Sequence, residues 1–377
     1  MKKPASTFLL IILVFLTVSL LVFPREGFAA AQSGLELWWK SILPALLPFF
    51  IVSELLVLLG AMRLLGRWLE PLMRPLFNLP GAAALAVIMG YTSGFPTGAA
   101  ITSGLRKEGA VTRDEGERLL AFTNNAGPFF IMAGVSVGML NCPQAGVFLA
   151  AIHYGLNLLL GVTLGIFSKK KGGRKSLPLP ALPNYNHEPV GALLKKAALK
   201  ALVNIGLIGG YILFFSVLIK MLWLCGAGPL FCRGLEWLLT CFRLSPALAV
   251  AFFNGFWEMS IGAAAAGQSA APFAQSFAAC AAILAWGGLS VQGQVSAMVS
   301  DTDLRLRYYF SSRLVHAAAS FMLALPLAGK IALSSGGGTP NTPMPPPAMS
   351  VLIFSLLLLF ATAVLGKALG APRKKQP

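Results

Sequence analysis

The sequence predicts an all-α, polytopic membrane protein. Of its 377 residues, 56% are apolar and 11% are charged, and the mean hydropathy is +0.74, so most of the chain cannot face water. A soluble globular protein is therefore excluded. Ten apolar runs are long enough to cross a hydrocarbon core of roughly 30 Å. They lie at about 7–23, 41–60, 82–105, 119–140, 144–167, 201–224, 246–267, 273–299, 309–332 and 350–368.

Basic residues predict the orientation of these runs. The net charge of +17 comes from Lys and Arg clusters between apolar runs, a pattern typical of cytoplasmic loops, so no nucleic-acid partner is expected. If all ten runs crossed, the basic loop 168–200 would lie outside. Runs 82–105 and 246–267, with the cores GYTSGFPTG and FNGFWEMSIG, are therefore predicted to be re-entrant hairpins. Eight crossings result, with both termini in the cytoplasm.

Five regions follow from this map. They are an N-terminal membrane segment with an outer connector (1–40), a first repeat (41–167), a basic cytoplasmic loop (168–200), a second repeat (201–332), and a Pro/Gly outer loop with a last membrane helix and a basic cytoplasmic tail (333–377). The first run also fits a cleaved signal peptide, because Lys2 and Lys3 precede it and Ala29–Ala31 offers a cleavage site. The charged segment 62–77 is predicted to lie on the inner leaflet as an interfacial helix.

The two repeats share one order of parts. Each has a span, a connector, a broken hairpin, a broken span and a further span. Gly94 precedes Gly127 by 33 residues, and Gly255 precedes Gly288 by the same 33. Because the first repeat begins outside and the second inside, they are predicted to be inverted, an architecture in which discontinuous helices form a substrate site near the midplane.

Four broken stretches carry the candidate binding residues. Non-helical backbone at membrane depth is tolerated only inside protein or along a wet cavity. The stretches lie at 91–98, 122–128, 254–260 and 286–296, and each sets polar side chains beside Gly or Pro. Plain helix packing and interhelical hydrogen bonds remain the structural alternatives. The predicted substrate-binding residues are Thr92, Ser93, Gly94, Pro96, Thr97, Gly98, Asn124, Asn125, Asn254, Glu258, Ser260, Ser290, Gln292 and Gln294.

Glu258 is the sharpest single candidate, because an ionisable side chain inside a membrane segment is costly and is kept mainly for function. We expect it to couple transport to a proton or sodium ion, or to orient the substrate. A protonated, hydrogen-bonded structural acid is the alternative. Glu54 is a weaker case nearer a membrane end, and His153 and Asn157 form a polar stripe one helical turn apart.

Nothing in the sequence indicates an enzyme. The motifs HExxH, GxSxG and GxxxxGK[ST] are absent, and the five Cys show no CxxC spacing. We therefore expect no catalytic residue, no metal site, no bound cofactor and no disulfide framework.

Several motifs carry a family resemblance. The runs LPALLPFFIVSELL, EPLMRPLFNLPG, GYTSGFPTGA and RLLAFTNNAGPFFI resemble the sporulation integral membrane protein YlbJ family of spore-forming Bacillota. That family has nucleoside-recognition Gate domains and is related to concentrative nucleoside transporters. The resemblance implies endospore formation, with dipicolinic acid passing from the mother cell through the outer forespore membrane, for spore cortex and spore maturation. Gate-domain sites depend on hairpin tips and broken helices, which correspond to the four stretches above.

The expected function is therefore transport of a small anionic metabolite. A dicarboxylate suits hairpin tips and half-helix N-termini, which present N–H groups and positive dipole ends. Two alternatives stay open: a non-transporting membrane scaffold in cortex assembly that binds partners through the loop 168–200, and a nucleoside transporter. The expected partners are the substrate, the lipid bilayer, and further copies of the chain or other sporulation membrane proteins.

Overall fold

Every regular element in the structure is a helix. The structure, a computed structural model, describes residues 4–59, 61–168 and 188–334, and no strand occurs in these ranges. The predicted all-α class is thereby confirmed. The predicted outer loop, last membrane helix and basic tail, together with most of the basic loop 168–200, lie outside the described residues.

Fifteen α-helices are described. The first eight are α1 (Pro4–Val22), α2 (Pro24–Leu37), α3 (Leu43–Leu58), α4 (Ala61–Phe77), α5 (Ala84–Thr92), α6 (Thr97–Lys107), α7 (Arg113–Thr123) and α8 (Ala145–Ile166). The other seven are α9 (Val190–Leu224), α10 (Ala227–Cys241), α11 (Ala249–Trp257), α12 (Met259–Gly267), α13 (Phe273–Trp286), α14 (Gly288–Val299) and α15 (Arg307–Ser334). Short 3₁₀ helices at Gly81–Ala83 and Pro246–Leu248 precede α5 and α11, and π-helical turns occupy Trp38–Ile42 and Phe130–Val137.

Several helices are long and apolar enough to cross a membrane. In the described part of the chain these are Pro24–Leu58, Ala145–Ile166, Val190–Leu224, Phe273–Val299 and Arg307–Ala328. A sixth results if Arg67–Phe77 and Gly81–Thr92, bent by 111°, form one span. Run 7–23 is a shorter apolar helix, and run 119–140 is broken. The count of eight crossings stays a prediction, whereas the multi-spanning helical architecture is confirmed.

The span α13–α14 lies at the centre of the fold. In its most apolar stretch, 78% of the residues are buried inside the protein, against 28% or less in the other four long spans. The small residues of α13, a run of Ala with Cys280, let neighbouring helices pack closely around it. The broken point between α13 and α14 is therefore surrounded by protein, as non-helical backbone in a membrane requires.

The predicted outer connector before residue 41 is helical in the structure. Pro24 begins α2, a position that proline favours, and α2 continues through the π turn into α3. The helix packs along α9, where a Cβ at Gly34 would lie 2.5 Å from Ser216 Oγ and the Trp38 indole N–H donates to Ile205 O at 3.0 Å. Packing against α9 extends this helix beyond the apolar run that marks it in the sequence.

Candidate transport site

The first hairpin turns at Ser93–Pro96. The turn joins α5 to α6, which pack against each other, and Gly94 adopts a positive φ of 78° that suits glycine. Ser93 Oγ lies 3.1 Å from Ser53 Oγ, so the tip contacts α3. The tip therefore lies where the GFP segment of the sequence predicts a reversal.

A broken span crosses this hairpin at its glycines. Residues 124–127 after α7 are non-helical. A Cβ on Gly90 would lie 1.8 Å from Thr123 O, one on Gly98 would lie 2.1 Å from the same oxygen, and one on Gly94 would lie 2.8 Å from Gly127 N. The four-residue glycine spacing thus lets the backbone of the broken span approach the hairpin.

The side-chain amides of Asn124 and Asn125 form hydrogen bonds with groups around this break. Both side chains are fully buried. Asn124 Oδ1 accepts from Ala99 N at 2.9 Å, and its Nδ2 donates to Leu120 O at 2.9 Å. Asn125 Nδ2 donates to Phe122 O at 3.3 Å, and its Oδ1 accepts from Asn157. The geometry favours the structural alternative for these two amides.

Arg313 is a functional candidate that the sequence analysis missed. This fully buried side chain on α15 donates to Ala121 O at 2.6 Å, Asn124 O at 2.9 Å and Asn157 Oδ1 at 2.8 Å. These carbonyls lie at the C-terminal end of α7, which is the negative end of the helix dipole. The positive guanidinium therefore stabilises this helix end. An arginine inside the apolar run 309–332 was the available signal, by the reasoning that selected Glu258.

The second hairpin breaks at Glu258. Its backbone is extended, and its carboxylate caps α12, with Oε2 accepting from Ile261 N at 2.8 Å. The break packs on the one between α13 and α14, because a Cβ on Gly288 would lie 2.9 Å from Met259 N. Gly287 and Gly288 have φ values of +83° and +75°, which explains the glycine pair.

Buried polar atoms without a hydrogen-bond partner occur near both breaks in the described part of the chain. Those in the first repeat or on α15 are Tyr91 Oη, His153 Nδ1, Tyr309 Oη, Arg313 Nε, His316 Nδ1 and Ser320 Oγ. Those in the second broken pair are Asn254 Oδ1, Trp257 Nε1 and Ser290 Oγ. Such groups are costly when buried, which sets these positions apart from the rest of the described interior.

A cavity of about 50 Å³ lies where the two hairpin tips meet. All four predicted stretches reach it. Its polar and glycine lining comprises Ser93, Gly94, Gly127, Tyr211, Glu258, Ser260 and Gln294. Its apolar lining comprises Ile42, Leu46, Phe49, Phe50, Phe95, Phe130, Ile208, Met259 and Val291. We call this space the tip cavity.

A second cavity, of about 260 Å³, adjoins the tip cavity. We call it the side cavity, because it extends between α3 and α9. The residues common to both are Phe50, Ser93, Phe95, Ile208, Tyr211 and Gln294. The side cavity adds Ser53, Glu54, Pro96, Thr97, Asn204, Leu207, Ala297 and Met298. Together they give an aromatic and hydroxyl-rich space with Glu258 at one end and Glu54 at the other.

The structure divides the predicted binding residues into two groups. Those that line one of the two cavities are Ser93, Gly94, Pro96, Thr97, Glu258, Ser260 and Gln294. Those that do not line either are Thr92, Gly98, Asn124, Asn125, Asn254, Ser290 and Gln292. Thr92 Oγ1 donates to Ile88 O at 2.8 Å within its own helix, and Gln292 Nε2 reaches Trp286 O at 3.5 Å.

The lining carries acidic groups and no basic ones. Neither cavity includes a Lys, Arg or His among its described lining residues, whereas Glu54 and Glu258 are both present. The negative charge of Glu258 faces the N-terminal end of α12, which is the positive end of that helix dipole. Glu54 is offset by Lys200, whose Nζ lies 2.7 Å from Glu54 Oε2.

Comparisons with known proteins agree with this architecture. Residues 39–141 match the model of the Gate family, described as nucleoside recognition. Solved structures of CNTnw, a concentrative nucleoside transporter, have a similar fold. The inward-facing, substrate-bound form has a TM-score of 0.52 at 13% identity, covering 88% of this chain and 91% of that one. An outward-facing variant has a TM-score of 0.50 at 14% identity, covering 87% and 91%.

Fold and sequence thus define a multi-pass integral membrane protein whose helical fold is similar to that of CNTnw. Over 330 residues the chain is 35% identical to the sporulation integral membrane protein YlbJ of Bacillus subtilis (strain 168), covering 82% of this chain and 80% of that protein. The chain belongs to the YlbJ family of sporulation integral membrane proteins. The family is one of sporulation integral membrane proteins, and the fold is similar to that of a transporter.

Proposed function

We propose that the protein carries a small aromatic acid, with dipicolinic acid as the candidate, from the mother cell towards the forespore. The observation that carries the proposal is the tip cavity, in which both hairpin tips and both broken spans meet. Such a meeting of discontinuous helices is the usual place of a transport site. The outer forespore membrane and cytoplasmic termini belong to this proposal, as does the absence of any enzymatic step or bound cofactor.

The lining suits a flat ring with polar substituents. Phe49, Phe50 and Phe95 offer faces and edges for aromatic packing. Ser93 and Gln294, which line both cavities, offer a hydroxyl and an amide as hydrogen-bond donors to carboxylate oxygens. The side cavity continues from the tip cavity towards the N-terminal end of α9. In this proposal the aromatic ring of the substrate passes through it.

Charge matching gives Glu258 a role in coupling. A dicarboxylate entering a space that already holds a carboxylate is repelled unless a cation or proton accompanies it. Glu258 lines the tip cavity and is 4% exposed, so a proton or sodium ion bound there would travel with the substrate. The other site residues position the ring. Assembly into a homo-oligomer or with other sporulation membrane proteins is a further part of the proposal.

A neutral aromatic substrate such as a nucleoside is the second candidate. The observation that favours it is the lack of a basic side chain in the described lining of both cavities. A membrane scaffold is the third candidate, and it needs no cavity.

Uptake into proteoliposomes tests the proposal. The purified full chain is reconstituted, and labelled dipicolinate is followed with and without a proton or sodium gradient. We expect saturable uptake that excess unlabelled dipicolinate suppresses and that excess nucleoside does not. Labelled nucleoside is followed in parallel: uptake of the nucleoside without uptake of dipicolinate would identify the second candidate, and no uptake of either compound would identify a scaffold.

A further inference from the structure

The mouth of the side cavity carries an ion pair between two helices. Lys200 Nζ on α9 lies 2.7 Å from Glu54 Oε2 on α3. The Glu54 side chain is 12% exposed and lines the cavity, whereas the Lys200 side chain is 61% exposed and contacts the cavity through Glu54. The lysine is therefore the partner that solution reaches first.

Lys200 begins a row of residues that leads inwards along α9. Asn204 follows one turn later, Ile208 another turn later, and Tyr211 three residues beyond that, so all four share one helix face. Asn204 lines the side cavity only, whereas Ile208 and Tyr211 line both cavities. Eleven residues of helix span about 16 Å, so the row runs from the exposed mouth to the tip cavity.

Lys200 is suited to hold an anion at this mouth. Neither cavity has a positive side chain among its described lining residues, and Lys200 reaches the lining through its partner Glu54. Lys196, one turn earlier, pairs with Glu188 at 2.6 Å, and Glu188 is not among the residues that line either cavity. An ion pair with a half-exposed partner is weak, typically about 0 to 1 kcal/mol, so an incoming carboxylate competes with Glu54 for the ammonium group. Glu54 in turn prevents Lys200 from remaining bound to the substrate.

We propose that Lys200 is the capture residue for carboxylate substrates, and that Glu54 is the counter-charge that holds Lys200 between transport cycles. Lys200 leaves Glu54 for a substrate carboxylate at the mouth and returns to Glu54 when the substrate moves on towards Tyr211. This exchange makes the protein prefer an acid to a neutral ring of the same shape. The inference rests on the proposed function.

The test uses two single variants of the full chain in proteoliposomes, Lys200→Gln and Glu54→Gln. Removal of the charge-assisted contact is expected to raise the KM for dipicolinate by about tenfold in Lys200→Gln, with little change in Vmax. Glu54→Gln is expected to lower the KM by about threefold, because nothing then competes for the lysine. The opposite signs are the signature, since a merely structural ion pair would be damaged by both variants alike.

Two controls accompany these variants. Lys196→Gln removes a positive charge one turn away and is expected to leave the KM unchanged. Lys200→Arg keeps the charge and is expected to restore most of the affinity. Thermal unfolding in detergent shows whether each variant folds, and the wild-type KM is expected to rise with salt more steeply than that of Lys200→Gln.

The experiment distinguishes failure of the proposed transport function from failure of the capture role of Lys200. If the wild type takes up no dipicolinate, the proposed function is overturned, and the capture role is overturned with it. If the wild type transports and Lys200→Gln keeps the same KM, or if Glu54→Gln raises the KM as Lys200→Gln does, only the capture role is overturned.

Discussion

The two broken pairs of helices stabilise their breaks in opposite ways. In the first, the C-terminal end of α7 is bound by Arg313 from α15, and the guanidinium lies away from both cavities. In the second, the N-terminal end of α12 is capped by Glu258 from the hairpin itself, and this carboxylate lines the tip cavity. Each charge matches the helix end that it meets. The first break is thus held from outside the hairpin, whereas the charged cap of the second break lines the tip cavity.

The largest expected effect is the loss of the anchor in Arg313→Met. The variant removes Arg313 as the donor to Asn124 O and Asn157 Oδ1, and it leaves Ala121 O with the Ser312 hydroxyl as its side-chain donor. Each buried acceptor that loses its donor typically costs about 1 to 3 kcal/mol. We expect a strongly lowered Tm in detergent. Arg313→Lys is the matched control and is expected to recover part of the loss. A Tm of Arg313→Met equal to that of the wild type would contradict the anchoring role.

A smaller loss of stability is expected when an added side chain separates the first hairpin from the broken span. A Cβ at Gly98 would lie 2.1 Å from Thr123 O, so Gly98→Ala forces the backbones apart at a cost of about 1 to 3 kcal/mol. Gly104→Ala, on the same helix, meets nothing within 4 Å and is expected to be neutral or stabilising. Equal Tm values for the two variants would show that the close approach has no energetic importance.

Glu258→Gln is expected to change stability less than transport. Glutamine keeps the shape of the cap and loses the charge at the α12 terminus, so we expect a loss of about 0.5 to 1 kcal/mol. Uptake is expected to lose its dependence on the pH or sodium gradient. Coupling through Glu258 is wrong if the variant retains the wild-type dependence on both gradients.

The smallest effect is expected at the far end of α6. Arg106 donates to both carboxylate oxygens of Asp303, at 2.8 and 3.0 Å, and this hydrogen bonding lowers the pKa of Asp303 below its ordinary value. A carboxyl with a lowered pKa in the folded state contributes stability above its unfolded pKa, and this contribution is lost as the pH falls through the folded value. We expect Asp303→Asn to lower the Tm slightly at neutral pH and not in acid. A Tm difference that is the same at both pH values would contradict the ion pair.

Local sequence signals located the hairpins and the broken spans. Gly94 and Pro96 mark one reversal, because Gly and Pro disfavour a continuous helix at those positions. Glu258 marks the other, because an ionisable side chain inside a membrane segment is costly and indicates a special position. The glycine spacing at 90, 94 and 98 is also visible in the sequence, and the close approach of backbones there depends on the absence of side chains at those positions.

Long-range pairing was harder to predict. Asn124 and Asn125 were assigned to binding, but their amides bond backbone groups and Asn157, and periodicity does not show where an amide points. Arg313 lies 189 residues from Asn124 in the chain, and no local pattern joins them. The pairing of Lys200 with Glu54 has the same origin, because it depends on the packing of α9 against α3.

If both hairpin tips contribute to one substrate site, bound substrate should protect both of them from chemical modification. Ser93→Cys and Ser260→Cys, each in a chain with its five native Cys replaced, are labelled with a small thiol reagent with and without dipicolinate. We predict that dipicolinate slows the labelling of both cysteines at the same half-maximal concentration. Labelling of either cysteine at an unchanged rate under saturating dipicolinate would contradict the account.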